Sequence, residues 1–200
     1  ESDQQPDPHS PLVNFLWSHI GWLYVRNDYT RSAGMLHKYA KDILQDPFYM
    51  YLEKTWAGPM IYLAHVVLYY LVGFTVGTFV DGSLYAGFLF GMSLMIWGAF
   101  VRTVLVWHIT WSVNSLTHIF GYRTYETNEG SRNNLFVTLL TFGEGWHNNH
   151  HRYPCSAKQG FYWWEFDIAY FGIWLMSLFG LVKNIQRDPA SILTSNRNLS

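Results

Sequence analysis

The run Gly143-Glu144-Gly145-Trp146-His147-Asn148-Asn149-His150-His151 sets three histidines at positions i, i+3 and i+4. In an α-helix these positions share one face, so His147, His150 and His151 would project their imidazoles together. Neutral imidazole is a good ligand for first-row transition metals, iron among them. Three convergent imidazoles with no carboxylate beside them are costly to bury unless a metal or several acceptors satisfy their nitrogens. A weaker pair lies upstream, where Asn114 and His118 stand four apart and would be neighbours on a helix face. These residue types suit metal-dependent redox chemistry.

The elements that must position these residues belong to a membrane. Half of the residues are hydrophobic and 14% are charged, against roughly 25% charged in an average soluble domain. Aromatic residues make up 19%, enough to populate interfacial belts. A formal net charge of -1 gives no reason to expect a nucleic-acid partner. The single Cys155 excludes an internal disulfide framework. Two apolar runs, residues 57–80 and 84–103, are each long enough to cross a bilayer, which takes ~20 apolar residues. Only Asp81, Gly82 and Ser83 separate them, a turn signal. All thirteen Lys and Arg lie before residue 57 or from Arg102 onward. The positive-inside rule then puts both termini on the cytoplasmic side.

The second apolar run continues beyond Arg102 to His118. At ~1.5 Å per residue it carries Asn114 and His118 well out of the bilayer. The expected fold is therefore all-α and integral to the membrane, a transmembrane helical hairpin with a cytoplasmic helical cap (residues 1–54 and 104–200) that carries the metal site. Residues 12–25 and 168–182 are too short to span comfortably and read as interfacial or cap helices. Residues 33–45 read as one surface amphipathic helix.

The string VNSLTHIFGYRTYET (113–127), with SRNNLFVTLLTFGEGWHNNHHRYP (131–154) after it, closely resembles the third histidine box region of membrane fatty acyl desaturases of the Δ9, stearoyl-type family. SDQQPDPHSP (2–11) and SHIGWLYV (18–25) resemble the segment just after that family's second histidine box, and residues 160–181 resemble its closing helix. The match is closest to the bacterial, cyanobacterial and plant branch. It implies a non-haem centre of two irons, with His118, His147, His150 and His151 at ligand positions and Asn114 acting through water. It also implies that Thr110 and Trp111 line the bend of an acyl tunnel. His9 matches a family motif not assigned to metal. His19 and Trp22 match a helix with a packing or tunnel-wall role, His37 and His65 match no family position, and His108 is not assigned. Two departures, Lys158-Gln159-Gly160 and Asn128-Glu129-Gly130, are expected to leave the ligands untouched.

The function implied is oxygen-dependent desaturation of a fatty acyl chain, with two electrons from a separate ferredoxin or cytochrome b5. The acyl carrier is open between coenzyme A, carrier protein and glycerolipid. Rivals are a di-iron hydroxylase, a desaturase of other regioselectivity, and a non-catalytic membrane protein. A haem carrier would want its histidines inside the bilayer, whereas this cluster is expected outside it. The family's first two histidine boxes, an HxxxxH and an HxxHH ahead of the one at His147, are not among these 200 residues, which begin with Glu1. The chain is therefore expected to be a single desaturase domain, truncated at its N-terminus, with those boxes upstream of Glu1.

Overall fold

A computed structural model describes residues 11–25 and 32–186. The Asp7-Pro8-His9 stretch and the basic residues Arg26, Arg31, Arg187 and Arg197 lie outside the described residues. The regular elements among the described residues are all helices, with isolated bridges at Tyr122–Asn133 and Asn133–Trp146. Two compact units divide the chain, one of residues 25–106 and one of residues 1–24 with 107–200. Helix α1 (Pro11–His19) belongs to the second of these.

In the unit of residues 25–106, residues 33–45 form two short helices instead of one. These are α2 (Ala33–Tyr39) and α3 (Lys41–Gln45), separated at Ala40, whose φ of -133° leaves the helical region. α4 (Pro47–Lys54) comes next, and its start is written locally. Asp46 caps it by accepting from Phe48 N at 2.8 Å, and Pro47 occupies the first position, where the missing N–H costs nothing.

α5 (Ala57–Asp81) and α6 (Leu84–Met95) make the hairpin, and its turn falls within a residue of the expected place. Gly82 closes α5 in the left-handed region at φ 66°, and Ser83 caps α6 by accepting from Tyr85 N at 3.2 Å. The packing seam is made of glycines. Gly73 and Gly77 on α5 face Gly87 and Gly91 on α6, all four buried. A Cβ on Gly77 would sit 2.9 Å from Ala86 O, and one on Gly91 would sit 3.0 Å from Tyr70 O. Small residues four apart on each helix let the two backbones meet closely, the usual way to pack helices where lipid removes any hydrophobic drive. The outer faces, with residues such as Leu68 and Leu89, are exposed and apolar. Two helical stretches are long and apolar enough to cross a membrane, Ala57–Asp81 and Leu84–His118.

The second stretch changes pitch part-way. Ile96–Val101 is a π-helical turn before α7 (Arg102–Ser115). Gly98 lies in that turn where the Tyr69 ring fills the space a Cβ would need. Arg102 lies just beyond and donates to His65 Nε2 at 3.0 Å and to Tyr69 Oη at 3.4 Å. A guanidinium is donor-only, so His65 carries its proton on Nδ1. His65 is thus a structural partner of Arg102, in line with its lack of any family position.

Besides α1, the second unit holds a 3-10 turn at Gly21–Tyr24, most of α7, and the C-terminal helices α8 (Leu135–Thr141), α9 (His147–Arg152) and α10 (Ile168–Leu178). Both flanking apolar segments are shorter helices than residues 12–25 and 168–182 suggested. Trp146 anchors the unit, fully enclosed between Tyr122 and Phe166 and donating from Nε1 to Phe166 O at 2.9 Å. Gly145 is required beside it, because any Cβ there would collide with the backbone of Thr138 in α8.

Candidate metal centre

The end of α7 tightens before it reaches His118. Leu116–His118 is a 3-10 turn, and buried Thr117 donates its hydroxyl proton to Val113 O. The tighter turn means that Asn114 and His118 do not keep the regular α-helical i, i+4 relation. Arg132 N donates to Thr117 O at 2.7 Å, which ties this turn to the 131–134 segment.

α9 is helical, so the i, i+3, i+4 pattern of its histidines becomes a real face. Two residues that sequence reasoning passed over hold it in place. Asn148 accepts from the backbone N–H of Thr124 at 2.9 Å and of Tyr125 at 2.8 Å, and donates to Tyr125 O at 2.9 Å. Asn149 accepts from Asn133 at 2.8 Å and donates to Gln159 O and to Glu165, each at 2.8 Å. Glu165 is buried and also accepts from Tyr122 Oη at 2.6 Å and Phe161 N at 2.8 Å. Burial first, then the Glu165 carboxylate, pushes the Tyr122 phenol well above its ordinary value, so it stays a donor. Both asparagines are fully buried with their amides satisfied, which turns the opposite face of α9, with its histidines, toward His118.

His118, His147 and His151 bring one ring nitrogen each within 4.8 Å of one another. His147 Nε2 and His151 Nε2 are 2.9 Å apart, and the His118 ring meets both edge-on at 5.1 and 5.7 Å between centroids. His150 stands beside this group, its ring 6.0 Å from that of His147 and 5.8 Å from that of His151. Its Nδ1 is buried with no hydrogen-bond partner. Burial holds the His147 imidazole down at about 2, with His151, His118 and His150 adding to the effect. Burial and His151 lower His150 too. The His147 and His150 rings are thereby held neutral, with lone pairs available to a cation.

His151 has a second partner. Its Nδ1 lies 3.3 Å from Glu129 Oε1, which also accepts from Ser131 Oγ at 2.6 Å. Burial would raise the Glu129 carboxyl, but hydrogen bonds from Ser131, Thr127 and its own backbone, with His151, bring it below its ordinary value. The expectation that Asn128-Glu129-Gly130 leaves the ligand positions untouched is therefore corrected, since the loop folds Glu129 back onto His151. The other departure packs against Asn149 and Asp167. Gln159 meets Asn149 and donates its N–H to Asp167 at 2.8 Å.

The remaining residues singled out in the sequence lie mostly on α7. Asn114 is half-buried one turn before His118. Thr110 is exposed and Trp111 half-buried, stacked on Trp107 at 6.0 Å. His108 and His19 are not part of the metal-competent group. They hydrogen-bond to each other, His19 Nε2 to His108 Nδ1, at 3.0 Å. His37 is exposed.

The donor set fits a transition metal. It offers several neutral imidazoles, two of them aiming Nε2 at one point and a third with an orphaned buried nitrogen, and one carboxylate behind His151.

A family model described as fatty acid desaturase matches residues 1–183. The chain is 42% identical over 194 residues to an sn-1 stearoyl-lipid 9-desaturase of Synechocystis sp., covering 97% of this chain and 54% of that protein. It is 37% identical over 183 residues to an sn-2 palmitoyl-lipid 9-desaturase of Nostoc sp., covering 92% and 58%. It is 36% identical over 185 residues to an acyl-CoA 5-desaturase of Anemone leveillei, covering 92% and 51%. The chain thus spans little more than half the length of these relatives.

Proposed function

Because the chain belongs to the fatty acid desaturase family, we propose that it carries the C-terminal share of a histidine-ligated di-iron site that desaturates a fatty acyl chain at position 9. The observation that carries this reading is the convergence of His118, His147 and His151 within 4.8 Å. A glycerolipid-linked substrate is the reading that the stearoyl-lipid and palmitoyl-lipid relatives support.

His118, His147, His150 and His151 would hold iron, with Asn114 acting through a water. When bound, the iron supplies, with dioxygen and two electrons from ferredoxin or cytochrome b5, the oxidation that takes two hydrogens from adjacent methylene carbons. An unactivated C–H bond is beyond acid–base side chains, so the protein's part is to bind, orient and exclude water. Glu129 holds the Nδ1 proton of His151 and so leaves its Nε2 lone pair for the metal. Asn148, Asn149 and Glu165 fix the rotation of α9 and hence the direction of all its histidines. Thr110 and Trp111 line the bend of the acyl tunnel. The hairpin spans the bilayer, with the termini and metal site on the cytoplasmic side.

Iron analysis of the purified full-length parent protein tests the metal assignment. Two irons per polypeptide without a haem absorption band are expected, and His118→Ala should lower that number. Iron content unaffected by His118→Ala would overturn the assignment.

A further inference from the structure

Resting on the desaturase reading, we propose that His19 and His108 form a positioning pair that fixes the orientation of Trp111, and through it the stretch of acyl chain presented for oxidation. The pair joins helices distant in sequence, His19 being the last residue of α1 and His108 lying in the middle of α7. Its protons can be placed one by one. Ser115 Oγ donates to Trp111 O at 3.2 Å, so its only proton is used there. His19 Nδ1, 2.9 Å from Ser115 Oγ, must then be the donor to that oxygen. His19 Nε2 is left as an acceptor and takes the proton of His108 Nδ1 at 3.0 Å. The relay runs His108 to His19 to Ser115 to the Trp111 carbonyl, with the His19 imidazole neutral. Burial and the neighbouring His108 hold His19 below its ordinary value, which agrees with that state.

The same two rings, stacked on each other at 5.2 Å, both meet the Trp111 indole. His108 meets it edge-on at 5.1 Å and 77°, and His19 at 6.0 Å and 84°. Phe15 stacks on His19 at 5.4 Å, and Trp107 stacks on Trp111 at 6.0 Å. The indole is therefore held by ring contacts whose own orientation is locked by hydrogen bonds, and its backbone carbonyl is the end of the relay. None of these residues is in the group that can hold a metal. A loosened Trp111 should change which methylenes are reached without changing iron occupancy. His19 and His108 are positioning residues in this scheme and do not touch the reacting carbons.

The test compares His108→Leu with His108→Asn in the full-length parent enzyme, expressed in a desaturase-deficient host. Asn keeps a donor near the Nδ1 position and Leu removes it. Iron per polypeptide is measured alongside the ratio of 16- to 18-carbon products and the double-bond position. His108→Leu should shift the product ratio or position by about 10-fold, the lower end of the ~10–200-fold that one methylene is worth. Iron content should stay at the wild-type level, and His108→Asn should restore the wild-type profile. His19→Phe, which keeps the ring stack but breaks the relay, should behave as His108→Leu does. An unchanged product profile in His108→Leu would overturn the proposal. So would a loss of iron and abundance with an unchanged profile of the remaining product, the mark of a merely structural role. No unsaturated product from the wild-type enzyme would defeat the desaturase reading itself.

Discussion

His151 faces two ways, with Nε2 toward His147 and Nδ1 toward the Glu129 carboxylate. A carboxylate behind a ligating imidazole fixes the tautomer and raises ligand basicity, and its loss typically weakens metal binding by ~10–100-fold. Glu129→Gln should therefore lower iron affinity by about that factor at normal protein abundance, as read by iron retention against a competing chelator. Retention equal to wild type would mean that the contact does nothing for the metal. His147 gives a pH dependence. Its folded-state value, about 2, lies below the ordinary 6.5. Between those limits the unfolded chain binds more protons than the folded one, so stability rises with pH and is lost as pH falls below about 6.5. Thermal unfolding of the iron-free full-length protein should show this loss, and His147→Asn should flatten it.

The elements divide by how openly the sequence announced them. The hairpin was legible because charge-free runs stop at Asp81-Gly82-Ser83, and α9 because its histidines fall on one helical face. The π-turn was not, since Ile96–Val101 reads as any apolar helix, and the Tyr69 ring that packs against Gly98 there lies far away in sequence. Asn148 and Asn149 read as polar spacers between histidines, yet they latch α9 to the 124–133 segment and to Glu165. Their partners cannot be inferred from local spacing. The start of α4 could have been found from Asp46-Pro47, a cap with a first-turn proline after it. Asn149→Ala would leave the Glu165 carboxylate and the Asn133 amide each short of a partner in a buried place. A loss of about 1–3 kcal/mol is expected, with weaker iron retention because α9 can rotate. In the hairpin, Gly77→Leu has no room against Ala86 and Phe90, while Leu89→Ala lies on the outer face. The first should lower the yield of folded protein in detergent and the second should not.

At the scale of the whole molecule, the placement of charge decides topology. No Lys or Arg lies between residue 57 and Arg102, so the positive-inside rule predicts the Asp81-Gly82-Ser83 turn on the non-cytoplasmic face. A Ser83→Cys variant, with Cys155 replaced by Ser, should react with an impermeant thiol reagent from the non-cytoplasmic face. Reaction from the cytoplasmic face alone would reverse the orientation. The chain spans 54% of the length of its Synechocystis relative.

The central claim is that the histidines of α9, with His118 in the 3-10 turn after α7, hold the iron that desaturates an acyl chain. Gas chromatography with mass spectrometry of total fatty acids tests it most directly, in a desaturase-deficient host expressing the full-length parent or its His151→Ala variant at matched abundance. The wild-type protein should yield monounsaturated 16- or 18-carbon chains with the double bond at position 9, and His151→Ala should yield none above the background of the host. Undiminished monounsaturated product from His151→Ala would contradict the claim.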